Sequence, residues 1–95
     1  MDQESIKSSL LACRDLAAAA CDCDDVGNLA GAIRNYDDAI IVIDEVLTRI
    51  PSSCDAWQLL MIYREKYSSR MVCTISLLSL FNILLDIRKR YGLLF

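Results

Sequence analysis

The feature that most constrains this 95-residue chain is an unbroken three-and-four spacing of apolar residues through its middle. The residues in this stripe are Leu29, Ala32, Ile33, Tyr36, Ala39, Ile40, Ile43, Val46 or Leu47, and Ile50. Such a period predicts a long helix, with Asn28 as its N-cap and Pro51 marking its end. Ile41 and Val42 lie outside the stripe and give the helix a second apolar face, which a helix wedged between two neighbours needs. The chain is therefore predicted to form a helical bundle.

A second helix is predicted before this one, from Asp2 as N-cap to about Cys23. Its apolar positions repeat the same spacing, at Ile6, Leu10, Cys13, Ala17, and Ala20 or Cys21. Four consecutive alanines, 17 to 20, combine high helix propensity with little bulk, so another helix can approach closely there. Gly27 can take a positive φ and stops the helix.

The third predicted helix follows Pro51. Ser52 and Asp55 have the spacing of a capping box, with Ser52 at the cap. One face of this helix carries Ala56, Leu60, Tyr63, Tyr67 and Met71, with Trp57 and Arg64 beside it.

The composition then changes, and the fifteen residues from Met71 to Leu85 contain no charged side chain. We predict that Met71–Ile87 is helical, continuous with the third helix or just after it. Its apolar side chains lie on all sides of the helix and must be covered. The three alternatives are the bundle's own groove, a second copy of the chain, or a bilayer. Fifteen residues are fewer than the roughly 20 that a membrane-spanning helix needs.

The predicted fold is all-α, an antiparallel three-helix bundle with an extended hydrophobic C-terminal helix. Residues 1–74 form the three-helix domain, and residues 75–95 form the hydrophobic helical tail.

The residue types present argue against catalysis. The chain has no histidine, hence no Ser-His or Cys-His nucleophile pair, and it has no glycine-rich phosphate loop. We expect no cofactor and no metal, because Cys21-x-Cys23 is not a zinc spacing and Asp22, Asp24 and Asp25 lack the spacing of a calcium loop. Five cysteines behind a polar N-terminus favour a reducing, cytoplasmic location.

The charge is unevenly distributed along the chain. Residues 1–63 carry eleven acids and four bases (−7), whereas residues 64–95 carry two acids and six bases (+4). The acidic balance of the first two-thirds argues against binding of nucleic acid.

An ordered set of residues across the first two predicted helices resembles a known family. Ala20, Asp24, Asn28, Ala32, Tyr36 and Ala39 fit A-x-x-x-D-x-x-x-N-x-x-x-A-x-x-x-Y-x-x-A. This pattern resembles that of the MIT (microtubule-interacting and trafficking) domain, a three-helix bundle similar to tetratricopeptide repeats. Tyr67-Ser68-Ser69-Arg70 is similar to the family's Y-L-x-R, except that Ser68 stands in place of the leucine.

The resemblance implies a protein-interaction module that binds amphipathic helices of partner proteins. The implied ligands are C-terminal tails of ESCRT-III subunits, in endosomal trafficking or beside a microtubule-severing or other AAA ATPase. The groove between the second and third helices would use Ile43, Val46, Leu47, Arg64, Tyr67, Ser68 and Met71. For the apolar residues of this set, plain core packing explains the pattern equally well. Asp37, Asp38, Asp44 and Glu45 form a solvated face or an acidic rim for basic residues of the bound helix.

Two other classes of function fit the sequence. One is a tetratricopeptide-like scaffold hairpin, which a second helix ending before Glu45 would favour. In a true repeat the proline comes about 17 residues after the glycine, whereas Pro51 follows Gly27 by 24. The other is a small membrane-associated helical protein whose tail is the functional part.

Overall fold

The computed structural model describes residues 3 to 91, and the side chains of residues 4 to 90. Within this part the chain forms three helices, α1 (Gln3–Asp25), α2 (Leu29–Leu47) and α3 (Asp55–Tyr91). Short connections make successive helices antiparallel, and α2 packs against both α1 and α3. The predicted all-α bundle with a long C-terminal helix is confirmed. Asp2, the predicted N-cap of the first helix, lies outside the described residues.

The turn between α1 and α2 follows from its sequence. Gly27 has a φ of +78°, a backbone conformation that residues with a Cβ rarely adopt. The Asn28 amide donates to the Cys23 carbonyl at 2.8 Å, and the Gly27 amide donates to the Asp24 carbonyl at 3.1 Å, which together make a Schellman motif. The Asn28 side chain then accepts from the Gly31 amide at 3.1 Å and caps α2. Both predictions for this turn, the glycine stop and the asparagine cap, are confirmed.

α2 is the central element. Six residues of its predicted apolar stripe are buried, whereas Ile33 is only half-buried. The buried residues are Ala32, Tyr36, Ala39, Ile40, Ile43 and Val46. Val42 packs against the core as a partly buried side chain, but Ile41 is exposed and does not contribute a second apolar face.

α2 ends at Leu47, one turn before the predicted end at Ile50. The Thr48 hydroxyl donates to the Glu45 carbonyl at 2.7 Å, and the Arg49 amide donates to the Val46 carbonyl at 2.9 Å. These bonds close the last turn early, and the helix does not resume because Ile50, the residue before Pro51, is disfavoured in the α conformation. The stripe nevertheless continues, since Ile50 still packs against the core.

α3 begins at Asp55, which puts Cys54 at the N-cap position and makes the predicted cap at Ser52 wrong by two residues. The Pro51 carbonyl accepts from the Cys54 amide at 3.1 Å, so a separate turn comes before the helix. The packed face of α3 is also rotated relative to the prediction, because Ala56 and Tyr63 are exposed. The residues that face the bundle are Trp57, Leu60, Arg64, Tyr67, Met71 and Thr74.

The core consists of two clusters along α2. The first contains Cys13, Ala39, Ile43, Val46 and Leu60, and the second contains Ala20, Ala32 and Tyr36. Tyr67 packs against both clusters and links them. Ala17 and Ala20 are buried, as expected of a close approach between helices, and the Cys13 thiol donates to the Ala39 carbonyl at 3.7 Å.

α3 is much longer than the bundle. Its 37 residues span about 55 Å, whereas the 19 residues of α2 span about 28 Å. The last buried residue of α3 among those described is Thr74. We call residues 75–90 the α3 extension. Most of its apolar side chains are exposed: Ile75, Leu77, Leu80, Phe81, Ile83, Leu84 and Leu85. The predicted helix Met71–Ile87 is therefore present and continuous with the third helix, and the α3 extension does not fold back into the bundle's own groove.

By length and composition alone, one described helix could cross a membrane. The stretch Asp55–Arg90 contains an 18-residue window with a mean hydropathy of 1.7, only 6% of which is buried. A buried core helix can meet the same two criteria, but the low burial of this window shows that the bundle does not cover it.

Candidate partner-binding groove

A groove opens between α1 and α3 because both helices pack on α2 and make much less contact with each other. Two cavities lie along it, and Tyr67 lines both. We call them together the α1/α3 groove.

The larger cavity has a volume of about 720 Å³, within the range of ligand-binding pockets. Its lining residues are Cys21, Tyr36, Met61, Ile62, Glu65, Lys66, Tyr67, Ser69, Arg70 and Cys73. Only Cys21 comes from α1 and only Tyr36 from α2, so α3 supplies most of the wall. Ile62 is highly exposed on this wall, which makes it an apolar side chain that a ligand can cover.

The smaller cavity, about 390 Å³, lies nearer the start of α1 and α3. Its lining residues are Leu10, Cys13, Arg14, Ile43, Ala56, Leu59, Leu60, Tyr63 and Tyr67. Arg14 is the one charged residue among them, and Leu59 and Tyr63 are exposed apolar side chains on the α3 side. The two cavities therefore form a mostly apolar path about five turns long on α3, from Ala56 to Cys73.

Three tyrosine rings line the groove in a row. The Tyr36 and Tyr67 ring centroids are 6.1 Å apart, and so are those of Tyr63 and Tyr67, both pairs in stacked orientation. This is the range in which aromatic rings attract each other. The Lys66 ammonium lies 6.0 Å from the Tyr63 centroid and brings a positive charge to the α3 side of the groove.

One end of the groove is closed by a polar cluster around Asp24, which we call the Asp24 junction. The Tyr36 hydroxyl donates to Asp24 Oδ2 at 3.1 Å, and Arg70 Nη2 donates to the same oxygen at 3.2 Å. Thr74 Oγ1 lies 3.4 Å from Asp24 Oδ1 and donates to the Arg70 carbonyl at 2.8 Å. The carboxylate at the end of α1 thus joins α1 to α2 and α3.

The groove floor carries no charge at neutral pH. Burial, followed by the hydrogen bond with Cys21, raises the pKa of Tyr36 to about 12, although the Arg70 hydrogen bond opposes the shift. Burial also raises the pKa of Tyr67 and of the Cys13 thiol. A neutral floor of rings and thiol suits an apolar ligand.

The residues that the sequence predicted for an α2/α3 groove lie in several different places. Ile43 and Val46 are fully buried in the core, and Leu47 packs against the same cluster. Met71 packs against the second cluster, and Tyr67 lines the α1/α3 groove.

Two members of that predicted set remain at the α2/α3 interface. Arg64 donates from Nε to Asp44 Oδ1 and from Nη2 to Asp44 Oδ2 at 3.3 Å, which makes a bidentate ion pair across the α2/α3 interface. Ser68 is half-buried one turn further along α3. The α2/α3 groove therefore stays a prediction, with Arg64 and Ser68 as its accessible members.

The predicted acidic rim is partly engaged within the chain. Asp44 pairs with Arg64, and Glu45 pairs with Arg49 at 2.7 Å. Asp37 is exposed and Asp38 is half-exposed on α2. Half of the rim is thus occupied before any partner binds.

Sequence reasoning missed Ile62, Lys66 and Cys73 as groove residues and Thr74 as a packed residue. The signal for Ile62 was available, because Leu59, Ile62 and Tyr63 repeat at helical spacing beside the predicted face. Among residues 3–91, no three His, Cys, Asp or Glu side chains are arranged to hold a metal ion. All five cysteines are free thiols.

Comparison of the chain with protein-family models, with curated proteins and with solved structures finds no match.

Proposed function

We propose that the chain is a protein-interaction module of the MIT kind, which binds a peptide segment of a partner in the α1/α3 groove. The observation that carries the proposal is the groove itself, an open apolar path walled by α3, floored by stacked tyrosines and free of charge at its base. A partner helix or extended segment that sets apolar side chains into such a path gains the free energy of covering exposed residues such as Ile62 and Leu59.

The interactions of the motif residues support the choice of family. Three alanines of the pattern, Ala20, Ala32 and Ala39, have no exposed surface. Asp24 accepts from Tyr36, and Asn28 caps α2. Residues that resemble one family's pattern therefore explain how α1 is joined to α2.

The third-helix motif takes part in the same contacts. Arg70 donates to Asp24, and the Tyr67 ring stacks on Tyr36. The motif residues of α3 thus meet those of α1 and α2 at one place. The length of α2 argues in the same direction, because it continues two residues beyond Glu45 and so does not favour the tetratricopeptide-like hairpin.

The chemistry of the groove defines the ligand. Apolar anchors suit the tyrosine-lined floor, and an acidic residue beside them would meet Lys66 at the rim. The cytoplasmic helical tails of ESCRT-III-type subunits, at endosomes or beside an AAA ATPase, are the ligands that the resemblance implies. They are therefore the first peptides to test.

The test is a calorimetric titration of the full chain with such tail peptides. Ile62→Gln removes an apolar wall residue that is 59% exposed, and Ile41→Gln makes the same change on α2 at 56% exposure, away from the groove. Loss of a covered isoleucine should weaken binding roughly tenfold. Ile41→Gln should leave the affinity unchanged. Equal effects of the two variants, or no binding by the wild-type chain, would refute the proposal.

Ser68→Leu, in the same titration, tests the α2/α3 groove instead. Restoring the leucine of the family pattern adds apolar surface in that groove, and burying a whole leucine side chain contributes about 1.5–3 kcal/mol at most. If the peptide binds there, Ser68→Leu tightens binding several-fold and Ile62→Gln has no effect. The opposite result assigns the ligand to the α1/α3 groove.

A further inference from the structure

A continuous apolar seam begins at Cys73, which lines the α1/α3 groove, and runs along the α3 extension, where nothing in the bundle covers it. Cys73, Leu77, Leu80, Leu84 and Ile87 follow one another at intervals of four and three residues. This is the heptad spacing of a helix that packs along a second helix. Leu77, Leu80 and Leu84 are all exposed.

The seam does not lie on the packed face of α3. The packed face of α3 contains Leu60, Tyr67 and Thr74. At 100° per residue the seam lies roughly 120° around the helix axis from that face. Beyond Thr74, the last buried residue of α3 among those described, a second helix can therefore approach the extension without being blocked by α1 or α2.

The length of the extension argues against a bilayer as its cover. Thr74 is fixed to the bundle through Asp24 and the Arg70 carbonyl, so only residues 75 to 85 are both free and uncharged. These eleven residues span about 16 Å, half of a hydrocarbon core of roughly 30 Å. Insertion from this end would leave Asp86 and the basic residues 88–90 near the centre of the bilayer, where charged side chains are disfavoured.

We propose that a second copy of this chain covers the seam, with the two extensions running antiparallel. The proposal goes beyond peptide binding and does not depend on it. Seam packing in this orientation sets Leu77 of one copy against Leu80 or Ile87 of the other. Residue 88 of one copy then lies level with residue 69 or 76 of the other.

Charge complementarity selects the antiparallel orientation. The extension ends in Arg88, Lys89 and Arg90, of which Arg90 pairs with Asp86 at 3.2 Å. The acidic end of α1 lies level with residues 70 to 74 of α3, because Asp24 contacts Arg70 and Thr74 there. An antiparallel pair brings the basic end of each copy beside the exposed Asp22 and Asp25 of the other. A parallel pair would set the two basic ends side by side, and they would repel each other.

Sedimentation equilibrium of the full chain tests the association. The wild-type chain should be dimeric, and Leu80→Gln with Leu84→Gln should weaken the dimer roughly tenfold or more. The matched control, Ile75→Gln with Leu85→Gln, changes two exposed residues of the same helix on the far side of the seam. Ile75 and Leu84 are closely matched, at 43% and 41% exposure. The control should stay dimeric. Equal weakening of the dimer by both pairs of substitutions would show that the seam is not the contact between the two copies.

Cysteine cross-linking tests the orientation in a chain carrying Cys21→Ser and Cys54→Ser. A parallel pair brings the two Cys73 thiols together, so rapid disulfide-linked dimers on mild oxidation would overturn the proposal. In an antiparallel pair Cys73 alone should not cross-link. If Leu77 packs against Leu80, Cys73 lies opposite residue 84, so adding Leu84→Cys should give linked dimers. If Leu77 packs against Ile87, adding Leu77→Cys with Ile87→Cys should give them. Failure of both variants would also overturn the proposal.

The remaining outcome is that a bilayer covers the extension. Flotation with vesicles of phosphatidylcholine, alone or mixed with phosphatidylserine, tests it. The dimer should stay with the soluble fraction in both cases. A chain that is monomeric in solution and floats with vesicles would show that a bilayer covers the extension, and the proposal would be wrong. A chain that is monomeric and does not float would equally overturn it.

Discussion

Replacement of Asp24 by alanine should test how much the Asp24 junction stabilises the bundle. The Asp24 side chain is only 14% exposed, and it accepts the Tyr36 hydroxyl as a charged acceptor. A hydrogen bond to a charged group contributes about 1.5–3 kcal/mol. The Arg70 side chain is 63% exposed, so solvent screens its ion pair with Asp24 and the pair adds little to stability.

One effect opposes this loss. Asp24 lies in the last turn of α1, which contains no basic residue, and a carboxylate at a helix C-terminus is unfavourable by about 0.3–1 kcal/mol. Removing it recovers that amount, so Asp24→Ala should cost roughly 0.5–2.7 kcal/mol net. The hydrogen bond outweighs the helix dipole because it is formed at a nearly buried site.

The matched control is Asp22→Ala, which removes a carboxylate from the same turn of α1 at an exposed position. It should be neutral or stabilising by a few tenths of a kcal/mol. Urea unfolding followed by far-ultraviolet circular dichroism gives both free energies. If Asp22→Ala and Asp24→Ala change the free energy of unfolding equally, the junction contributes nothing beyond its charge and the reasoning fails.

Two further changes test the packing and the titration of α2. Ala39→Leu should overpack the fully buried α1–α2 contact and cost about 1–3 kcal/mol in urea unfolding, whereas Ala30→Leu at an exposed position of the same helix should cost little. Tyr36 should make the chain sensitive to alkali. Its pKa is about 12 when folded and near 10 when unfolded, so its contribution is complete below pH 10 and is lost as the pH rises to 12, by up to roughly 3 kcal/mol. Tyr36→Phe should flatten that decline, and an unchanged pH profile would contradict the assignment.

The fold could be predicted because the strongest signals in the sequence act locally. The period from Leu29 onward and the Gly27-Asn28 pair depend only on neighbours in the chain, and both were predicted correctly. The ends of helices were less predictable. At the end of α2 the Thr48 hydroxyl and the backbone amides of Thr48 and Arg49 share the last few carbonyls, and spacing alone cannot decide which hydrogen bonds form.

The groove could be predicted only in part, because it depends on which faces of α1 and α3 are left apart. Ile43 and Val46 have the same periodicity whether they line a groove or fill a core. Only the rotation of α3, which buries Thr74 and exposes Tyr63, distinguishes the two cases. Such a rotation follows from packing between helices, and the sequence of one helix does not contain it.

The Asp24 junction also has a consequence for the order in which the chain folds. α1 and α2 are joined by three residues, so their pairing needs only a short loop to close. The contacts of Asp24 with Arg70 and Thr74 join residues that are 46 and 50 positions apart. We therefore expect the α1–α2 hairpin to assemble first and α3 to dock later. The Asp24 carboxylate, already positioned by Tyr36, would then be the point at which docking of α3 is completed.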